Sequence, residues 1–129
     1  MMWEYSQKLL DHFKNPRNYG QMENPDGVGR EGNPKCGDVL ELYLKVRENK
    51  IQDIKFLTFG CIAAIGISSI LTELVKGKAI EEAKRLTAKD VLKEVGVLPS
   101  NKYHCSVLGI QALKAAIADY EQKQKDNSG

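Results

Sequence analysis

The chain has 129 residues, 42% hydrophobic and 28% charged, a balance that suits one soluble domain (residues 1–129) with a real core. A net charge of +2, with lysines scattered rather than clustered, gives no basic stripe, so neither nucleic acid nor a membrane surface is an expected partner. No apolar run is long enough to cross a bilayer, and the amino terminus lacks the basic-then-apolar order of a signal peptide; the expectation is a cytoplasmic protein.

In chain order, Trp3 to Lys14 has the spacing of a short amphipathic helix, which Asn15-Pro16 ends because proline cannot continue the hydrogen-bond ladder. Gln21 to Gly37 is turn-rich, with a short edge strand expected near Val28 to Glu31. Leu40, Leu42, Leu44 and Val46 alternate with polar or exposed-type neighbours, the period of a half-buried strand. Ile51 to Phe59 is β-branched and aromatic but alternates less cleanly. A turn at Glu48-Asn49-Lys50 joins the two runs, so paired residues should have numbers summing to about 98. Ile62 to Val75 changes to helical spacing, and Ala79 to Arg85 suits a short helix. Thr87 with Asp90 opens a helix over Ala88 to Val95, and Gly96 stops it. A loop carrying Pro99 leads to a last helix from about Cys105 to Gln122, with Val107, Ile110, Leu113, Ile117 and Tyr120 expected inward and a frayed polar tail beyond. The sum is an α+β domain: a small antiparallel β-sheet of about three strands with helices packed on one face.

Three cysteines cannot all pair within one chain, so metal binding or sulfur chemistry is the expected use in a reducing compartment. Taken singly, a cysteine is commonly a small buried hydrophobe. Here each of the three falls in a loop or at a helix mouth, and none lies in an apolar stripe. Cys36 and Cys61 should lie nearly opposite each other at the open end of the hairpin, with Asp38 close by. Cys61 and Cys105 each open a helix, where unpaired N–H groups and the helix dipole favour a thiolate. His104 presents an imidazole beside Cys105. The candidate ligands are therefore Cys36, Asp38, Cys61, His104 and Cys105. Three thiolates with one nitrogen or oxygen donor suit tetrahedral zinc and an iron–sulfur cluster equally well. A turn carboxylate bonded to nearby amides is as good a reading of Asp38 as a ligand. No Cys-x-x-Cys knuckle is present, so the usual zinc-finger patterns do not match.

Asp11-His12-Phe13-Lys14-Asn15-Pro16-Arg17-Asn18, Cys36-Gly37-Asp38, Gly60-Cys61 and His104-Cys105-Ser106, in this order, resemble the U-type iron–sulfur cluster scaffolds: the IscU family and the N-terminal domain of NifU. The likeness extends over nearly the whole chain and implies a SufE/NifU-like fold. It also implies a function: assembly of a transient 2Fe–2S cluster from iron and desulfurase-derived sulfur, and its transfer to apo-proteins. On this reading the protein is a carrier rather than an enzyme. Cys36, Asp38, Cys61, His104 and Cys105 would hold the cluster, and Cys105 would accept the persulfide. The implied partners are a cysteine desulfurase (IscS/NifS-like), apo iron–sulfur acceptors, and a ferredoxin or frataxin-like protein. Leu98-Pro99-Ser100-Asn101-Lys102 departs from the family's Leu-Pro-Pro-Val-Lys, which puts a dedicated Hsp70-type chaperone in doubt. The rival reading is a zinc-bound persulfide carrier using the same residues, and a third is a plain structural zinc domain.

Overall fold

A computed structural model describes residues 5–33, 38–60 and 62–128. Three strands, β1 (Gly27–Asn33), β2 (Asp38–Arg47) and β3 (Lys50–Phe59), form an antiparallel meander in the order β1-β2-β3. The helices are α1 (Gln7–Lys14), α2 (Ile62–Val75), α3 (Ile80–Lys84), α4 (Ala88–Val95) and α5 (His104–Ser128), with a 3₁₀ turn at Ser100–Lys102 before the last. Leu40, Leu42 and Leu44 of β2 and Ile54 and Phe56 of β3 are buried under α5 and α2, as expected of a sheet covered on one face.

The β2–β3 register agrees with the expected mirror. Partners run from Val39↔Phe59 to Lys45↔Asp53, then shift to Val46↔Ile51 and Arg47↔Lys50. The shift leaves Gln52 unpaired, a β-bulge that lets both Ile51 and Ile54 turn inward. That extra residue is why the second run alternates poorly in the sequence. The turn is tighter than expected: within it Glu48 and Asn49 both carry positive φ, the requirement of a two-residue hairpin whose twist matches its strands.

β1 is longer than expected and lies against α5 through its glycines. A Cβ on Gly27 would stand 2.3 Å from the Ala116 carbonyl oxygen, and one on Gly29 would stand 2.1 Å from that of Ala112. Only glycine permits so close an approach. Asp119 of α5 accepts a hydrogen bond from the Val28 N–H at 2.8 Å, and this bond holds its carboxyl below the usual range. Three details of the helices depart from expectation. The first helix begins at Gln7, capped by the Ser6 hydroxyl, while residues 1–4 lie outside the described residues. The last helix continues to Ser128 instead of fraying near Gln122. Val107 is exposed and Leu108 takes the inward place.

The Asp11–Asn18 stretch fastens α1 and the following turn to α2. His12 is 4% exposed; its Nδ1 lies 2.7 Å from the Ser69 hydroxyl and its Nε2 3.2 Å from Glu73. A neutral ring protonated on Nε2 satisfies both contacts, with Ser69 donating to Nδ1. Burial holds the His12 pKa below its ordinary value; Arg17 adds to the effect and Glu73 opposes it. The Arg17 N–H also donates to Ser69, and the Asn18 amide donates to Thr72. Residues 18–20 then pair with β3 at Phe56, and residues 77–80 pair with it at Asn49–Ile51. The β3 edge is thereby covered at its start and at Phe56, which shields those stretches from pairing with another chain.

Candidate functional site

The elements that carry the predicted ligands converge on one end of the sheet. β1 ends and β2 begins there, with Asn33 paired to Asp38, and β3 ends there at Phe59, separated from α2 by two residues. The glycine contacts fix the direction of α5. Moving from Gly27 to Gly29 carries the contact from Ala116 to Ala112. Two strand residues advance about 6.7 Å and four helical residues about 6 Å, so the two elements run antiparallel and nearly in step. Continued to Asn33, the same ratio brings that end of β1 level with His104. The amino terminus of α5 and the strand ends at Asn33 and Asp38 therefore share one end of the molecule.

Within the described residues, the site's side chains are His104 and Cys105. Nε2 of His104 lies 3.7 Å from Sγ of Cys105, within reach of a thiol or thiolate. Cys105 is 4% exposed and lies in the buried stripe of α5, whereas the sequence placed it at a helix mouth outside any apolar stripe. Cys36 and Cys61 lie outside the described residues, and Asp38 is described through its backbone alone. Among the described residues no group of three or more His, Cys, Asp or Glu is placed to hold a metal ion. Behind Cys105, Ser106 is fully buried and its hydroxyl donates to the Tyr103 carbonyl at 2.7 Å, tying the first turn of α5 to the loop before it.

The outer face of the sheet is covered unevenly. Beyond the start of β1, residues 24–26 run on along β2: Lys45 donates to the Asn24 carbonyl, the Asp26 N–H donates to the Leu44 carbonyl, and the Asp26 carboxylate accepts from the Val46 N–H. Tyr43 is buried there; burial and the Glu41 carboxylate push its pKa up to about 12. At the site end the cover stops. The register partners Val39 and Phe59 are 39% and 79% exposed. Tyr103 and Val107, on either side of His104–Cys105, are also exposed.

The NifU-like N-terminal domain model matches residues 4–127. The chain belongs to that family. Among its relatives are the iron–sulfur cluster assembly scaffold protein IscU 1 of Archaeoglobus fulgidus and the scaffold protein IscU of Escherichia coli. The first is 56% identical, across 92% of this chain and 78% of the relative. The second is 48% identical, across 94% of this chain and 97% of the relative. A putative iron–sulfur cluster assembly scaffold for the SUF system from Fervidobacterium islandicum superposes with a TM-score of 0.72 at 26% identity, covering 89% of this chain and 97% of that one. The N-terminal NifU-like protein of Brucella abortus shares the fold, with a TM-score of 0.74 at 22% identity, over 93% of this chain and 96% of that one. In this NifU-like chain, sequence reasoning passed over Ser6 and Ser69, and it quoted His12 only as part of its motif, without its buried contacts. Their signals were faint: a serine three residues before Leu9, and polar residues at inward positions of apolar helices.

Proposed function

We propose that the protein is an iron–sulfur cluster assembly scaffold that builds a transient 2Fe–2S cluster and hands it to apo-proteins. The observation that carries the reading is the His104–Cys105 pair at the start of α5, level with the end of β1 at Asn33, three residues before Cys36 in the sequence. Relatives named as cluster assembly scaffolds, matched over nearly the whole chain, support it.

On this reading the cluster is cargo, held by Cys36, Cys61 and Cys105 with Asp38 or His104 supplying the fourth, weaker contact. Sulfur arrives as a persulfide on a cysteine desulfurase. The Cys105 thiolate attacks the terminal sulfur; a new S–S bond forms on Cys105, the old one breaks, and the desulfurase thiolate leaves. Two such sulfurs need four electrons to become sulfide. Oxidation of two ferrous ions supplies two, and a ferredoxin-type reductant supplies the rest. The exposed Val39, Phe59, Tyr103 and Val107 give protein partners an apolar surface at the same end. The chain carries the product and does not turn over a substrate of its own.

The test is anaerobic reconstitution of the full chain with ferrous iron, cysteine and a desulfurase, followed by absorption spectroscopy and metal analysis. Cys36→Ser, Cys61→Ser and Cys105→Ser should each lower cluster content, because serine is a poor ligand for soft iron–sulfur centres. Without iron, mass spectrometry should find the added sulfur on Cys105. Full cluster content in all three variants would end the scaffold reading, and zinc alone in the reconstituted protein would favour the sulfur-carrier alternative.

A further inference from the structure

The outer face of the sheet, turned away from α2 and α5, changes character along its length. Leu44, Ile51, Ile54 and Phe56 are buried and Val46 packs against the core, so their neighbours Lys45, Arg47, Lys50 and Lys55 project from the opposite face. The register places these four together. Arg47 pairs with Lys50, Lys45 lies two residues back on the same strand, and Lys55 is opposite Tyr43. They fall within about 14 Å along the strands. Cations scattered in the sequence are thus gathered by the hairpin.

Their charges are not matched on this face. Its carboxylates are Glu41, which pairs with Arg30, and Asp53, which pairs with Lys76 just past α2. Among the described residues, Lys45, Arg47, Lys50 and Lys55 have no ion-pair partner; Lys45 donates to the Asn24 carbonyl. At the margins, Asp26 accepts from the Val46 N–H and Glu48 lies in the turn. Like charges set directly opposite, as Arg47 and Lys50 are, destabilise a sheet. The fold gains nothing from that pair, whereas a partner of opposite charge removes the repulsion.

Toward the site end the same face carries half-buried Leu57 and exposed Val39 and Phe59. Arg47 and Val39 are eight strand residues apart, about 27 Å. One protein partner covers such a span with an ordinary interface of about 800 Å² on each side. A nucleic acid asks for cations along a backbone track and aromatic faces for stacking. The ring beside these cations, Tyr43, is buried and its hydroxyl donates to Glu41. We infer that the hairpin end of this face, formed by Lys45, Arg47, Lys50 and Lys55, receives an acidic stretch of a partner protein. The inference stands apart from the scaffold reading, which concerns the other end of the sheet.

The test titrates the isotope-labelled, metal-free full chain with a glutamate-rich peptide, followed by NMR. Saturable shifts should centre on residues 45–55, and raising the salt from about 50 to about 300 mM should weaken binding severalfold, because exposed charges are screened. Arg47→Glu with Lys50→Glu should weaken binding about tenfold, while Lys89→Glu with Lys93→Glu, the same change in net charge on α4, should leave it within about twofold. If the reversed hairpin does not fold by circular dichroism, Arg47→Gln with Lys50→Gln takes its place and should bind about threefold more weakly than the parent. Absence of saturation, shifts spread over lysines elsewhere, or equal losses in the two altered pairs would overturn the inference. So would a single-stranded RNA of matched charge that binds the same residues more tightly than the peptide. A chain that builds no cluster would count against the scaffold reading and leave this titration standing.

Discussion

Replacing Gly29 by alanine tests the closest contact between the sheet and α5. The new Cβ would stand 2.1 Å from the Ala112 carbonyl oxygen and 2.5 Å from the Ala116 nitrogen, both of them backbone atoms that no side-chain rotation can remove. Relief requires strand and helix to separate by on the order of 1 Å, given ordinary contact distances. Overpacking of this kind costs about 1–3 kcal/mol. Stiffening the unfolded chain by Gly→Ala returns about 0.4–1 kcal/mol, leaving a net loss of about 1–2 kcal/mol. For a chain of this size that lowers the melting temperature by roughly 3–8 °C. Urea unfolding of the metal-free protein, followed by circular dichroism, gives the number directly. Arg30→Ala, on an exposed neighbour, is the control and should stay within about 0.5 kcal/mol of the parent. A Gly29→Ala midpoint equal to the parent's would refute the argument that this glycine sets the spacing. Since α5 starts with His104 and Cys105, a displaced helix should also change the maleimide reactivity of Cys105.

Two further outcomes are expected. His12 is held neutral by burial, so the folded chain binds fewer protons than the unfolded one below its ordinary pKa of 6.5. Its contribution is complete above that value, is lost as the pH falls through it, and levels off below the lowered folded value; His12→Gln should flatten the urea midpoint between pH 7.5 and 5.5, and an unchanged slope would assign the dependence elsewhere. If the scaffold reading holds, Asp38→Ala would remove a weak oxygen donor that competes for iron; the cluster should then survive longer in air and transfer more slowly to an apo-ferredoxin, and faster decay of the visible absorbance would instead make Asp38 a stabilising ligand.

The strand register was legible because period-two alternation and a short turn leave little choice, and the partners from Val39↔Phe59 onward follow it. The bulge at Gln52 was not legible, since one extra residue only blurs the alternation. The length of β1 was missed for a different reason. Its contact with α5 is made by Gly27, Gly29, Ala112 and Ala116, small residues that a reading keyed to large apolar side chains ignores. The same bias misplaced Val107: the buried stripe of α5 runs through Cys105, Leu108, Ala112, Leu113 and Ala116, and the alanines fix its angle. At the site, the residue types gave the candidate ligands as expectations, while the burial of Cys105 ran against its expected place outside any apolar stripe.

The meander and the long-range bonds of α1 and α5 differ greatly in the length of chain they enclose. Two residues separate β2 from β3, and four separate β1 from β2. The Ser6–Val95 and Val28–Asp119 bonds close spans of 89 and 91 residues. Loop-closure entropy makes such long spans the costlier ones to close, and contacts of this range slow folding where short-range ones do not. The sheet can therefore assemble as a local unit, while the docking of α1 and α5 completes the globule. The span closed by Asp119 fixes α5, which begins with His104 and Cys105, so the end of the molecule that carries this pair is set by a contact that closes late.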